Sequence, residues 1–211
     1  MVFGSPGESQ RQSRSLARLH STIAGQGPDG ASYSASEPAL LQWVWATLVD
    51  TALVAFESSR ATLSRADRER YYEEQKLIAH ACGVPASNCP PTLLDFDNYV
   101  RHSITEDLQV TREAKAIARA VLRPPLREPF ATLAVGPFYL LNVGLLPERL
   151  REGYELPWSP AHEELLRSWL LVARFANTVV PKRVRRVALS LLQPLVTLAV
   201  PEQVFGASRT H

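Results

Sequence analysis

The chain has 211 residues, enough for one domain with a real core, because a chain of that size buries roughly 70% of its unfolded surface. Hydrophobic residues make up 45% and charged residues 21%, a soluble globular balance. A net charge of +2, with acids and bases interleaved as in "SRADRERYYEEQK", excludes the basic footprint that nucleic acid requires.

Helical periodicity runs through almost the whole chain. It predicts an all-α fold, a single domain over residues 1–211 built as a bundle of seven to nine helices. The first helix is expected from Glu8 to Ile23, with Leu16, Leu19 and Ile23 on one stripe and His20 on the same stripe. Arg11, Arg14 and Arg18 form a separate stripe. Gly25, Gly27 and Gly30 break this helix, and Pro28-Asp29-Gly30 reads as a turn. Ser36 is the expected cap of the next helix, with Glu37 and Pro38 in its first turn. From Ala39 to Phe56 that helix is apolar almost all round, which predicts the most buried element of the bundle. Gln42, Ala46 and Asp50 share one of its stripes; Trp45 lies on another with Leu41, Leu48, Ala52 and Phe56. Ser64 and Asp67 open a third helix, closed at Gly83. Pro90-Pro91-Thr92 introduces a fourth, to about Thr105. A fifth follows Thr111 and ends before Pro124-Pro125. A sixth covers Glu128 to Leu145. In a seventh Ser159 is the N-cap, Pro160 the first helical residue and Pro181 the stop. Lys182 to Val200 is the last. No repeat and no linker divides the chain.

Membrane and redox signals are sparse. "MVFGSPGESQRQ" has no basic start followed by an apolar run, so no signal peptide is visible. The longest apolar stretch, Val187 to Val200, has 14 positions, short of the roughly 20 needed to span a bilayer. It is either a core helix kinked at Pro194 or a segment that lies on a membrane. The expectation is a cytoplasmic chain, with any membrane contact lying on the surface and not spanning it. Cys82 and Cys89, with six residues between them, form neither a CxxC pair nor a disulfide framework and read as reduced structural thiols.

Most catalytic signatures are absent: no Walker loop, GxGxxG, HExxH or GxSxG occurs. Glu73-Glu74 and Glu163-Glu164 are adjacent and point to different sides. His80, His102 and His162 share no ligand spacing, and His162 reads as a surface residue of a first turn. Asp50 is unusual, because a bare carboxylate on an apolar helix is costly. It is expected either to hydrogen-bond or ion-pair with an arginine of a neighbouring helix, or to serve a catalytic or cofactor-orienting role. His20 has two readings from spacing alone, a packed core residue or a ligand for something held between helices.

The wider pattern bears on that choice. "RLH", then Gly25, Gly30, Tyr33, Ala35 and Pro38, then "LLQWVWATLVDTAL", resembles the family of MpaB-type and rubber (latex-clearing) oxygenases. "LSRADRERYYEEQKLIAHACGVP", "PPTLLDFDNYV", "ARAVLRPP" and "LLPERLREGYELPWSPAHEELLRSW" continue the resemblance, which covers about Val2 to Arg185. It implies an all-helical haem b oxygenase that uses dioxygen on carbon–carbon double bonds of an apolar, isoprenoid substrate. It places the proximal iron ligand on His20, and a haem on an apolar stripe makes physical sense because the flat macrocycle needs apolar walls. Arg14 and Arg18 become candidates for the haem propionates, since guanidinium forks suit carboxylates. Tyr33, Trp45 and Asp50 join them as cofactor-binding candidates.

Two departures from the family temper this. Where the family usually reads "WVHATL", this chain has Trp45, whose indole N–H is a donor only. Family members also carry a "QLAHP" segment and an Arg-x-x-(Lys/Arg)-Thr segment ahead of the position of Met1. The face near His20 is therefore expected to be open. Three hypotheses follow: a haem oxygenase-like enzyme, a non-catalytic helical remnant, and a helical ligand-binding domain without haem.

Overall fold

A computed structural model describes residues 6–27, 30–122 and 129–179. The helix expected over residues 182–200 lies outside them. The described residues contain eight α-helices and one two-stranded hairpin, the all-α fold that the periodicity predicts. They fall into two compact units that divide between Thr111 and Arg112. No composition change marks that boundary.

The first unit opens with α1 (Pro6–Ser21). The glycine-rich stretch after it is more than a loop. It forms strands β1 (Ala24–Gln26) and β2 (Ser32–Ser34), antiparallel, with Gly25 opposite Tyr33. No alternating β-branched run announces this hairpin; turn chemistry makes it. Gly30 sits at φ 79°, a conformation open to glycine, and Gly27 N–H donates to Ala31 O at 2.7 Å. Ala35 N–H to Ile23 O, 2.9 Å, closes the base. The Tyr33 ring lies across Gly25, where a Cβ would come within 3.0 Å of it.

Helix α2 (Pro38–Ser59) follows. Its N-cap is Glu37, not Ser36, and no side chain caps it. The Glu37 carboxylate is used elsewhere, accepting from Ser34 N–H at 2.7 Å. Helices α3 (Arg65–Ala81) and α4 (Leu93–His102) have true caps. Ser64 Oγ accepts from Asp67 N–H, and Thr92 with Asp95 forms a reciprocal capping box. A π-helical turn, Ser103–Asp107, ends α4.

These three helices enclose the core of the unit. Trp45, Ala46, Val49 and Leu53 come from α2, Tyr72 and Ala79 from α3, Phe96 and Val100 from α4. Three rings meet at its centre: Tyr72 and Phe96 at 4.9 Å, Trp45 and Phe96 at 5.8 Å, Trp45 and Tyr72 at 6.0 Å. Helix α2 thus supplies more of the core than either partner, yet it is not buried all round. Its inner residues occupy an arc of about 100° at helical spacing. On the opposite arc Val44 and Leu48 are 55% and 66% exposed. Leu48 therefore does not share the environment of Trp45, as the sequence stripe suggested. Among the described residues, α2 alone is long and apolar enough to cross a membrane by length and composition.

The second unit contains α5 (Arg112–Leu122), α6 (Pro129–Gly144), the short α7 (Glu148–Gly153), which the sequence reading did not separate, and α8 (Pro160–Val179). Leu140, Val143 and Leu166 are its buried apolar residues among those described. Glu155 takes a positive φ of 54° after α7. Lys115 and Arg119 hold its carboxylate at 2.5 and 3.3 Å. The Lys115 hydrogen bond and charge keep that carboxyl below its ordinary value.

Candidate functional site

His20 occupies the last turn of α1 and is half-buried. The stripe around it is not core packing. Leu16, Leu19 and Ile23 are 36%, 50% and 42% exposed, and no described side chain of α1 is buried. Arg14 and Arg18 are exposed on the same helix. The helix unwinds just past the imidazole. Ser21 and Thr22 hydroxyls donate to Arg18 O and Leu19 O, both at 2.8 Å, and Ile23 N–H donates to His20 O at 3.1 Å. The chain then enters the hairpin that carries Tyr33, exposed, with its ring on Gly25.

Trp45 and Asp50 have a different setting. Trp45 is 3% exposed and donates its indole N–H to Gln75 O at 3.1 Å. Asp50 is half-buried at the edge of the inner arc of α2. Burial pushes its carboxyl above the ordinary value, the charge of Asp97 pushes further, and Arg68 pulls back. The arginine expected opposite Asp50 is thus present, but it is shared. Its ion pair, at 3.7 Å, is with Asp97, and its Nε is buried without a hydrogen-bond partner.

The six candidates therefore divide into an exposed group on α1 and the hairpin (Arg14, Arg18, His20, Tyr33) and an inward-facing pair on α2 (Trp45, Asp50). Among the described residues no hydrogen bond, ion pair or ring contact joins the two groups. No described group of three or more His, Cys, Asp or Glu residues is placed to hold a metal ion. What α1 offers is one imidazole donor flanked by open apolar side chains, with Arg14 and Arg18 exposed on the other side of the helix at helical spacing. A single imidazole on an apolar stripe suits a flat, mostly apolar cofactor better than a bare cation.

The sequence model of the family described as "ER-bound oxygenase mpaB/B'/Rubber oxygenase, catalytic domain" matches residues 1–175. The chain belongs to this family. Two curated relatives are similar to it, Uncharacterized protein Mb2261 of Mycobacterium bovis and Uncharacterized protein Rv2237 of Mycobacterium tuberculosis. Each is 28% identical over 169 residues, covering 78% of this chain. The chain spans 64% of the length of each. No solved structure matches it.

Membership in the oxygenase family gives the α1 group its interest, since that group combines an available imidazole with uncovered apolar surface. Other residues escaped the sequence reading. Arg68 and Asp97 sit in charge-rich segments whose partners only the fold reveals. His162 is not a plain surface residue: it is half-buried and stacked on Trp158 at 5.3 Å. The signal was present in "WSPAH", where an aromatic residue and an N-cap serine precede a histidine at the third helical position. Cys82 and Cys89 are free thiols, as expected, and burial raises both. His80 contacts Val84 O through Nδ1 at 3.2 Å.

Proposed function

We propose that this chain is a haem-dependent, oxygenase-like protein that acts with dioxygen on carbon–carbon double bonds of an apolar, isoprenoid-class substrate. The observation that carries the proposal is the half-buried imidazole of His20 among Leu16, Leu19 and Ile23, apolar side chains that no other part of the first unit buries. A b-type haem, when bound, supplies the dioxygen chemistry. His20 would ligate its iron, because a neutral imidazole has a lone pair to offer. Leu16, Leu19 and Ile23 would cover part of one haem face and exclude water from it. Arg14 and Arg18 lie on the opposite side of α1 at helical spacing, so they would meet propionates with charge-assisted hydrogen bonds only by reaching round the helix. Tyr33 adds an exposed aromatic ring on the adjoining hairpin. The open apolar arc of α2 favours contact with a membrane surface or an apolar substrate over contact with nucleic acid.

A second reading, a helical relative that keeps the fold without haem, is favoured by Trp45. Its ring fills the core and its only polar atom is committed to Gln75 O, so it cannot replace a histidine there.

Titration with haemin separates the two. The wild-type chain should shift the Soret band and give a five-coordinate histidine signature, and His20→Ala should lose both. Equal binding by the two proteins, or binding by neither, would remove His20 from the role of ligand.

A further inference from the structure

The second unit holds a half-open cavity of about 460 Å³ between α6 and α8, within the size range of small-molecule sites, about 300–1,000 Å³. Pro137, Tyr139 and Leu140 of α6 and Leu165 and Trp169 of α8 give it an apolar, largely aromatic wall, and His162 is its one imidazole. The cavity uses none of the residues of the haem reading.

The imidazole is fixed from two sides. Ser159 N–H donates to His162 Nδ1 at 3.2 Å, Ser159 Oγ lies 2.8 Å from the same nitrogen, and His162 N–H returns to Ser159 Oγ at 3.4 Å. This is a capping box in which an imidazole stands where Glu or Gln is usual. A backbone N–H can only donate, so Nδ1 presents its lone pair there and the proton of the neutral ring sits on Nε2. Trp158 stacks on one face of the ring at an interplanar angle of 24°. Trp158 is itself pinned. Its indole N–H donates to Glu163 Oε2 at 3.0 Å, the Arg151 guanidinium lies over it at 5.2 Å, and it presses on Gly144, where a Cβ would collide with it and with Leu166. With one face and the Nδ1 edge taken, His162 has its Nε2–H edge left for the cavity. The Tyr139 hydroxyl is engaged with Pro157 O at 3.0 Å. The site therefore combines flat apolar walls with one donor held in orientation, the His162 imidazole, beside the indole N–H of Trp169, and no acidic, lysine or arginine side chain among the residues that line it.

We propose that this cavity binds a small, neutral, aromatic or otherwise planar molecule that carries one carbonyl-type acceptor, hydrogen-bonded to His162 Nε2. Recognition is by shape and stacking against Trp169 and Tyr139, with the N–H fixing orientation.

The full chain can be titrated with two probes of nearly the same shape, benzophenone and diphenylmethane, followed by ligand-observed NMR. Benzophenone should bind about fivefold tighter, the usual worth of one net hydrogen bond. His162→Glu keeps the capping box and removes the donor, so the preference should vanish while circular dichroism is unchanged. Gly136 lines the cavity, and a Cβ there meets nothing within 4 Å. Gly136→Leu should therefore fill the space and weaken both probes at least tenfold. The proposal fails if wild type binds neither probe or both equally, if His162→Glu keeps the preference, or if Gly136→Leu leaves both affinities unchanged.

Discussion

Two apolar stripes in the first unit have opposite fates. On α2, Trp45, Val49 and Leu53 are at most 3% exposed, locked against the rings of Tyr72 and Phe96. On α1 and just past it, Leu16, Leu19 and Ile23 are at least 36% exposed. Both stripes have helical spacing, and both would shed water if given cover. The difference is what each faces. The α2 stripe meets two helices that carry large rings at matching heights, so burial is complete within the unit. The α1 stripe meets nothing comparable among the described residues, and it carries the histidine. A stripe that is apolar and open, with an imidazole on it, has affinity left over for something else.

Paired truncations give the sharpest test of that contrast. Phe96→Ala removes a fully buried ring from the centre of the cluster, and should cost about 3–5 kcal/mol. Leu19→Ala removes a side chain already half in water, and should stay within about 0.5 kcal/mol. Urea unfolding of both variants measures the gap. A cost above about 2 kcal/mol for Leu19→Ala, the range of a buried leucine, would mean that the α1 stripe is covered in solution, and the comparison would break.

Trp45→His tests the inner stripe more gently. The variant installs the residue that the family usually has. An imidazole N–H can still reach toward Gln75 O, but much of the ring volume is lost between Tyr72 and Phe96. A loss of about 2–4 kcal/mol is expected from the cavity, read again from urea unfolding. A stability-neutral Trp45→His would show that the core does not depend on the indole, and would weaken the second reading under which Trp45 is a structural replacement.

The element pattern was legible because it is local. Ser64 with Asp67, Thr92 with Asp95, and Ser159 with Pro160 encode their helix starts within four residues, and the structure places helices there. Ser36 misled although the competing contact is equally local: a turn binds Ser34 to Glu37, and Glu37 becomes the N-cap residue. The burial of α2 was half legible. A helix apolar all round says that both arcs avoid water, but only the fold decides that Ala46 is covered and Leu48 is not. The sequence yields a list of candidate residues but not their arrangement. Spacing put His20 on an apolar stripe, but nothing in the spacing said that the stripe stays open. It likewise could not tell that Trp45 and Asp50 turn toward α3 and α4, because that depends on partners 18 to 47 positions away, such as Arg68, Gln75 and Asp97.

Asp50 offers the smallest effect and the most specific one, because it sits where the buried arc of α2 gives way to its exposed side. Burial and the nearby Asp97 raise its carboxyl, and Arg68 only partly offsets them. The folded chain therefore binds the Asp50 proton more tightly than the unfolded chain does. Its contribution to stability is full below the ordinary aspartate value, about 3.9, and is lost as pH rises through the higher folded value. At neutral pH the ionised carboxylate opposes folding. Asp50→Asn removes that charge with little change in shape, so at pH 7 the melting temperature should rise by about 2 °C. As pH falls below the ordinary aspartate range the wild-type group is itself neutral, and the two melting curves should converge. Thermal unfolding at pH 7 and near pH 3 checks both halves of the expectation. If Asp50→Asn instead lowers the melting temperature at pH 7, the attraction of Arg68 outweighs desolvation and repulsion. The edge of α2 is then held by a working ion network rather than carrying a charge the core would shed.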